Sequence, residues 1–156
     1  MADAGAATLL AAAAAPGISE IRHAACEPHV VELCEFLALM GAGITGAGSL
    51  ADVAAAMPAP RSVWLMVPAG LVDQVIADAA THLEPGDTII DGGNSNHKDD
   101  IRRAAELSAR GLHYVDVGVS GGVWGLENGY ALMIGGEDEP VGRLESVFRS
   151  LAPGTG

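Results

Sequence analysis

The chain has 156 residues, of which 49% are hydrophobic and 4% aromatic, which predicts one domain with an aliphatic core. Its formal net charge of -12 argues against nucleic acid or an anionic membrane surface as a partner. We expect a cytoplasmic protein, because no apolar run has membrane-spanning length and the N-terminus lacks the basic residues of a signal peptide. Two cysteines and five scattered histidines predict no metal site.

The N-terminal third alternates helical and extended patterns. Residues 6–15 are strong helix formers that end at Pro16-Gly17. Residues 18–24 alternate apolar and polar side chains, as a strand does. Apolar residues at helical spacing then predict a helix over residues 28–40, with Gly41 as its C-terminal stop.

The glycines Gly41, Gly43 and Gly46 have the spacing of a dinucleotide-binding fingerprint. That fingerprint requires a strand before the glycines and a helix after them, so that helix-terminal amides point at the pyrophosphate. Here the glycines follow a predicted helix, and the next predicted strand does not end in the acidic residue that would hold a ribose hydroxyl. We therefore expect the match to be fortuitous.

The rest of the chain alternates strands and helices regularly. This rhythm predicts a three-layer α/β domain with a mostly parallel open sheet, although the last strand follows a loop, which leaves its direction open. The predicted strands are residues 62–69, 87–93, 113–122 and 130–136. The predicted helices are residues 70–86, 100–111, with Asp99 and Asp100 at its start, and 140–152.

Polar and glycine-rich loops follow three of these strands. Ligands of parallel sheets bind outside the carboxyl ends of the strands, where Asn94, Ser95 and Ser120 could hydrogen-bond to hydroxyl or phosphate groups. The alternative is that glycine, asparagine and serine simply form the turns between strands and helices. No nucleophile motif is present, and we expect His97 and Lys98 to be a solvated pair, so no catalytic residue is predicted.

From about Ser49 to the end, the chain resembles the NADP-binding domain of the decarboxylating 6-phosphogluconate dehydrogenases. The strings "DGGNS" and "DVGVSGGVWG" carry this resemblance. It implies a Rossmann-like domain that lacks the first strand and its GxGxxG loop. The resemblance also implies that the nucleotide cofactor lies near Val67, Ala69, Gly70 and Asn94. It implies that the substrate lies near Asn94, Ser120, Gly121 and Gly122.

The first part of the chain is similar to a different family. The string "HAACEPHVVELCEFLALMGAGI" resembles part of UDP-N-acetylglucosamine enolpyruvyl transferase, without its catalytic motifs. The expected organisation is a single domain over residues 1–156, with a transferase-like segment over 6–48 and a dehydrogenase-like segment over 49–156. In this arrangement, strand 62–69 takes strand 18–24 as its neighbour, and exposed strand edges would otherwise favour a homodimer.

Two resemblances in one short chain suggest an engineered or recombined chimera that folds but has no catalytic activity. The dehydrogenase family's catalytic lysine and glutamate belong to a helical domain outside the matching region, so we expect no enzyme and no bound cofactor, NADP being the cofactor of the parent family. The alternative is a residual 6-phosphogluconate dehydrogenase module that binds nucleotide or sugar phosphate weakly. A UDP-sugar binder is a third interpretation, which the absence of a transferase nucleophile disfavours.

Overall fold

The structure is a computed structural model. It describes the backbone of residues 20–22, together with residues 34–35, 37–39, 41, 43–44, 47–121 and 128–152. The predicted helix over residues 6–15, Gly46 and Gly122 lie outside these residues.

A five-stranded sheet forms the centre of the described structure, with the strands in the spatial order β1-β2-β3-β4-β5. Strands β1 to β4 are parallel, and β5 is antiparallel to β4. The strands are β1 (Glu20–Arg22), β2 (Ser62–Leu65), β3 (Thr88–Asp91), β4 (His113–Ser120) and β5 (Ala131–Gly135).

The predicted pairing between the N-terminal strand and the strand that starts at residue 62 is confirmed. Ile21 of β1 lies opposite Trp64 of β2 in a parallel register. At the other side of the sheet, Met133 of β5 lies opposite Gly118 of β4. The direction of β5, which the sequence left open, is antiparallel, because only ten residues join it to β4 and a parallel return needs a longer crossover.

Within residues 47–121 and 128–152, five α-helices accompany the sheet. They are α1 (Leu50–Ala56), α2 (Val72–Ala79), α3 (His97–Ser108), α4 (Asp138–Arg143) and α5 (Glu145–Leu151). Helix α3 begins before the predicted start at Asp99 and Asp100, because the Asn96 side chain accepts a hydrogen bond from the Lys98 N–H at 3.0 Å and so caps an earlier turn.

The single closing helix predicted over residues 140–152 is instead two short helices. They meet at Leu144, whose φ of -92° and ψ of 1° depart from helical values. The N–H of Leu144 donates a hydrogen bond to the carbonyl of Val141, three residues earlier. This is the hydrogen bond of a 3-10 turn, and it separates the two helices.

Both faces of the sheet are covered by helices, which confirms the three-layer α/β architecture. Alternate strand residues point to opposite faces, so Leu65 and Ile89 pack with Val72 of α2 on one face. On the other face Trp64 packs against Phe148 of α5, with the rings edge to face and their centroids 6.0 Å apart.

Gly41 ends a helical segment, as predicted. Residues 37–39 are helical, Gly41 has a φ of +96°, and its N–H bonds to the carbonyl of Ala38 at 3.0 Å. A positive φ favours glycine, which explains this residue as a helix stop. Within the described ranges no helix is both long and apolar enough to cross a membrane.

Candidate functional site

The chain leaves β2 through a short turn at the carboxyl edge of the sheet. Val67 is buried, whereas Ala69 and Gly70 are exposed in a 3-10 turn over Ala69–Leu71 that leads into α2. No side chain of the described residues caps this turn, although Ser49 caps α1 and Asn96 caps α3. No side-chain acceptor of the described residues would therefore compete with a ligand for the backbone N–H groups at the start of this turn.

Two glycines let the end of β3 lie directly against the end of β2. The N–H of Gly92 donates to the carbonyl of Leu65 at 2.9 Å. A Cβ atom on Gly93 would lie 2.7 Å from the Val67 carbonyl oxygen, and one on Gly92 would clash with the Trp64 indole nitrogen. This close approach, rather than an unusual φ, requires glycine at both positions.

Asn94 connects the turn after β3 to the end of β4. Its φ of 53° is in the left-handed region, which asparagine tolerates better than most residues. Its Oδ1 accepts a hydrogen bond from the Val119 N–H at 3.1 Å. The exposed Asn94 is therefore held beside Ser120 and Gly121, which are also exposed.

The buried carboxylate of Asp91, the last residue of β3, organises this turn. Its Oδ1 accepts from the Gly93 N–H at 2.8 Å, and its Oδ2 accepts from the Ser95 hydroxyl at 2.7 Å. The Tyr114 hydroxyl and the Arg103 guanidinium donate to the same Oδ2, at 2.9 Å and 3.2 Å. No sequence argument singled out Asp91, although an acid between an apolar run and two glycines is a signal for this kind of turn.

Arg103 provides the positive charge beneath the turn. Burial by itself would lower the pKa of Arg103, but its interactions with Asp73, which accepts a hydrogen bond at 2.7 Å, and with Tyr114 together raise the pKa. Burial raises the pKa of Tyr114, so its hydroxyl stays protonated and donates to Asp91. Arg103 also bonds to Asp100, at 3.2 Å between Nη1 and Oδ1.

A fourth carboxyl group, that of Asp116, faces this network from β4. Asp116 lies opposite Asp91 in the parallel register of β3 and β4. Burial, followed by repulsion from Asp100 and Asp91, raises the pKa of Asp116 to about 6, against a weaker opposing effect of Arg103.

The residues implied by resemblance thus lie at the carboxyl ends of neighbouring strands. Val67, Ala69 and Gly70 follow β2, Asn94 follows β3, Ser120 ends β4 and Gly121 follows it. Gly122 is outside the described residues, and the ligand-binding roles of all these positions stay predictions. His97 and Lys98 are exposed at the start of α3. Among the residues that the structure places, no cluster of three or more His, Cys, Asp or Glu could hold a metal ion.

Comparison with known proteins identifies the family. Residues 29–155 match the family model of the NAD binding domain of 6-phosphogluconate dehydrogenase. The decarboxylating 6-phosphogluconate dehydrogenase of Haemophilus influenzae is 45% identical over 124 residues, which are 78% of this chain and 26% of that protein. The chain therefore spans about a quarter of the length of this relative.

Solved structures agree on the fold. Plasmodium falciparum 6-phosphogluconate dehydrogenase, whose structures include a complex with its cofactor NADP+, superposes with a TM-score of 0.81 at 24% identity, covering 100% of this chain and 33% of that one. The 3-hydroxyisobutyrate dehydrogenase of Salmonella typhimurium has a TM-score of 0.68 at 26% identity, with 95% of this chain and 49% of that one covered. The predicted Rossmann-like α/β fold is confirmed.

The same matches overturn the chimera hypothesis. Residues 29–48 were expected to resemble an enolpyruvyl transferase, but they fall inside the dehydrogenase family model. An amphipathic helix that ends at a glycine is common in α/β domains, so the string on which that resemblance depended does not discriminate between the two families. The interpretation as an engineered, catalytically inactive fusion is wrong, and the alternative of a dehydrogenase-type module fits better.

The resemblance noted from Ser49 onwards is confirmed and extends towards the N-terminus as far as His29. A model match over most of the chain and the identity to the bacterial relative agree with the arrangement of strands and turns. The chain belongs to the family of the NAD binding domain of 6-phosphogluconate dehydrogenase.

Proposed function

We propose that the chain binds NADP and a phosphorylated sugar acid at the carboxyl edge of β2, β3 and β4, as the cofactor-binding part of a 6-phosphogluconate dehydrogenase-type oxidoreductase. The hydrogen bond from the Val119 N–H to Asn94 Oδ1 carries this proposal, because it joins the proposed cofactor side of the edge to the proposed substrate side. The net charge of -12 argues against nucleic acid as the ligand.

The turn after β2 fits a nucleotide. Ala69 and Gly70 are exposed, and a Cβ atom on Gly70 would meet nothing within 4 Å, so the surface above the turn is open. Backbone N–H groups at a turn that leads into a helix are good donors to phosphate and ribose oxygens. Bound NADP would supply the acceptor for a hydride from the substrate.

Asn94 fits the position between cofactor and substrate. Its Oδ1 is engaged by Val119, and no group of the described residues accepts a hydrogen bond from its Nδ2. The amide N–H groups therefore remain available to a ligand oxygen. The left-handed backbone and the hydrogen bond to β4 hold this donor in one place, which reduces the entropy lost on binding.

The end of β4 fits the sugar phosphate. Ser120 offers an exposed hydroxyl, and Gly121 leaves its backbone accessible. Gly122 joins this group through the family resemblance alone.

The sharpest test compares Asn94→Asp with Asn96→Asp in NMR titrations with NADP and with 6-phosphogluconate. Asp at position 94 can still accept from Val119, but it loses the Nδ2 donors and adds a negative charge next to the anionic ligand. Asp at position 96 adds the same charge two residues away and still caps α3.

We expect wild-type shifts at the amides of residues 67, 69, 70, 94 and 119–121, and at least tenfold weaker binding for Asn94→Asp. Asn96→Asp should bind within about threefold of wild type, because the side chain at position 96 caps α3 and is not one of the proposed ligand donors. Equal weakening by both variants, or wild-type shifts confined to another part of the molecule, would contradict the proposed site.

A further inference from the structure

The positive charges of this acidic chain are mostly neutralised within the protein. Among the described residues, the arginines form ion pairs or donate to a backbone carbonyl, which is true of Arg61, Arg102, Arg103, Arg110, Arg143 and Arg149. Lys98 is exposed, and its ammonium group forms neither an ion pair nor a hydrogen bond with any residue that the structure places.

Lys98 also occupies an unfavourable position in its helix. It is the second residue of α3, at the positive end of the helix dipole. Acidic residues such as Asp99 and Asp100 are stabilising there, whereas a cation is not. A cation that is left unpaired in a chain of net charge -12, at a position that lowers helix stability, is available to an anionic ligand.

The contact between α2 and α3 shows how far each helix extends. The Arg102 guanidinium donates to both carboxylate oxygens of Asp73, at 2.9 Å and 3.0 Å. Asp73 is the second residue of α2, but Arg102 is the sixth residue of α3. Both helices follow parallel strands and begin at the carboxyl edge of the sheet, so α3 extends about one turn further beyond that edge than α2 does.

Lys98 therefore lies above the start of α2. It precedes Arg102 by four residues, which places it on the same side of α3 and about 6 Å nearer to the N-terminus of the helix. Helical side chains lean towards the N-terminus, so the Lys98 side chain extends into the space outside the turn Ala69–Leu71. That turn has no side-chain cap from the described residues and is open above Gly70.

The same geometry directs Lys98 away from β4. Asp100 follows Lys98 by two residues and so lies on the opposite side of α3. The Asp100 carboxylate accepts a hydrogen bond from the Tyr114 hydroxyl of β4 at 3.0 Å. Lys98 is therefore on the side of α3 that faces the proposed cofactor, whereas Asp100 is on the side that faces the proposed substrate.

We propose that Lys98 is a nucleotide-binding residue, whose ammonium group contacts a phosphate of NADP bound on the turn Ala69–Leu71. The turn supplies backbone N–H donors and Lys98 supplies a positive charge, and this combination suits a phosphate group. The inference rests on the nucleotide part of the proposed function and adds a cation to it.

The test compares Lys98→Gln with Arg149→Gln in NMR titrations with NADP and, separately, with 6-phosphogluconate. Both variants remove one positive charge, but Arg149 belongs to α5, on the opposite face of the sheet from α2 and α3. Lys98→Arg keeps the charge. Urea unfolding of each variant measures its stability.

We expect Lys98→Gln to bind NADP about five- to tenfold more weakly, because a charged hydrogen bond to phosphate is lost. It should bind 6-phosphogluconate within about twofold of wild type, because the lysine faces away from β4. Arg149→Gln should bind both ligands within about twofold of wild type, and Lys98→Arg should recover most of the affinity for NADP. Lys98→Gln should unfold at the same urea concentration as wild type or a higher one, because it removes a cation from the positive end of α3.

The outcomes separate this inference from the proposed function. Equal weakening of both ligands by Lys98→Gln, or equal weakening of NADP binding by Lys98→Gln and Arg149→Gln, would indicate an effect of net charge and overturn the inference. A Lys98→Gln protein that binds NADP as tightly as wild type would also overturn it, but would leave the proposed function standing. A wild type that binds neither ligand would contradict both.

Discussion

The Arg103 guanidinium donates a hydrogen bond to the carboxylate of Asp91 at 3.2 Å and thereby joins α3 to the last residue of β3. The side chain of Arg103 is 4% exposed and that of Asp91 is 0% exposed, so the pair is removed from water. Because Asp91 also holds the Gly93 N–H, the charge pair inside the fold sets the shape of the turn that presents Asn94.

Removal of this buried charge should be strongly destabilising. We expect Arg103→Met to lower the free energy of unfolding by about 3 to 5 kcal/mol, because it leaves the Asp91 carboxylate buried without its cation. Arg102→Met is the matched control, since Arg102 also bonds to Asp73 but is 44% exposed, and it should cost about 1 kcal/mol or less. Urea unfolding measures the free energy of unfolding of both variants. Similar decreases for the two would show that burial of the Arg103–Asp91 pair does not contribute to stability.

A side chain at Gly93 should disrupt the junction of β2 and β3. A Cβ atom there would lie 2.7 Å from the Val67 carbonyl oxygen, a backbone atom that cannot move aside by itself. We expect Gly93→Ala to destabilise the protein by about 1 to 3 kcal/mol through overpacking.

The control for that variant is Gly142→Ala in α4, where a Cβ atom would meet nothing within 4 Å. Alanine is favoured over glycine inside a helix by about 0.5 to 1 kcal/mol, so this variant should unfold at a higher urea concentration than wild type. A Gly93→Ala protein as stable as wild type would be incompatible with the close approach of the two strands.

The raised pKa of Asp116 predicts a stability that falls as the pH increases. Its folded-state pKa of about 6 exceeds the ordinary value of 3.8, so the folded protein holds this proton more tightly than the unfolded chain. Ionisation of Asp116 therefore lowers the free energy of unfolding. This decrease is absent below pH 3.8, develops as the pH rises towards 6 and is complete above it.

Asp116→Asn removes this decrease without a change in side-chain volume. At pH 8 it should stabilise the protein by about 1 to 3 kcal/mol, a range reduced for partial exposure, and at pH 4 it should have little effect. Urea unfolding at both pH values measures the difference, and carbon NMR of the wild-type carboxyl group reads its pKa directly. A difference that does not change with pH would rule out this titration.

Asp87 should show the opposite pH dependence. Burial alone would raise its pKa, but backbone N–H groups of Arg61 and Glu84 and the Arg61 guanidinium hold the pKa below the ordinary 3.8. Its stabilising effect is therefore present above pH 3.8 and is lost as the pH falls through the depressed folded-state value.

We expect Asp87→Asn to destabilise the protein by about 1 to 3 kcal/mol at neutral pH and by less at pH 2, because hydrogen bonds to a charged acceptor are lost. Thermal or urea unfolding across this pH range measures the effect. A loss that grows on acidification would contradict a depressed pKa for Asp87.

Much of the secondary structure could be predicted from local patterns. The apolar runs that begin at Ser62 and Thr88 predicted β2 and β3, because buried parallel strands are continuously hydrophobic. The boundaries were less well predicted, and α3 shows why: a side-chain cap at Asn96, two residues after a left-handed Asn94, decides its start.

The candidate site could be predicted only in part. "DGGNS" and "DVGVSGG" indicated Asn94 and Ser120 through family resemblance, but nothing in the local pattern showed that Asn94 bonds to Val119, 25 residues away. Asp91 and Arg103 were missed because a lone acid and a helical arginine resemble ordinary surface residues until their burial is known.

The sequence by itself determined the alternation of strands and helices, the aliphatic core and, through long specific strings, the family. Those properties depend on residues within a few positions of one another, where backbone preference and apolar spacing act directly. Only the tertiary structure decided that β5 runs antiparallel to β4 and that Arg103 neutralises Asp91 beneath the turn. These relationships depend on burial and on contacts between distant segments, which no local pattern encodes.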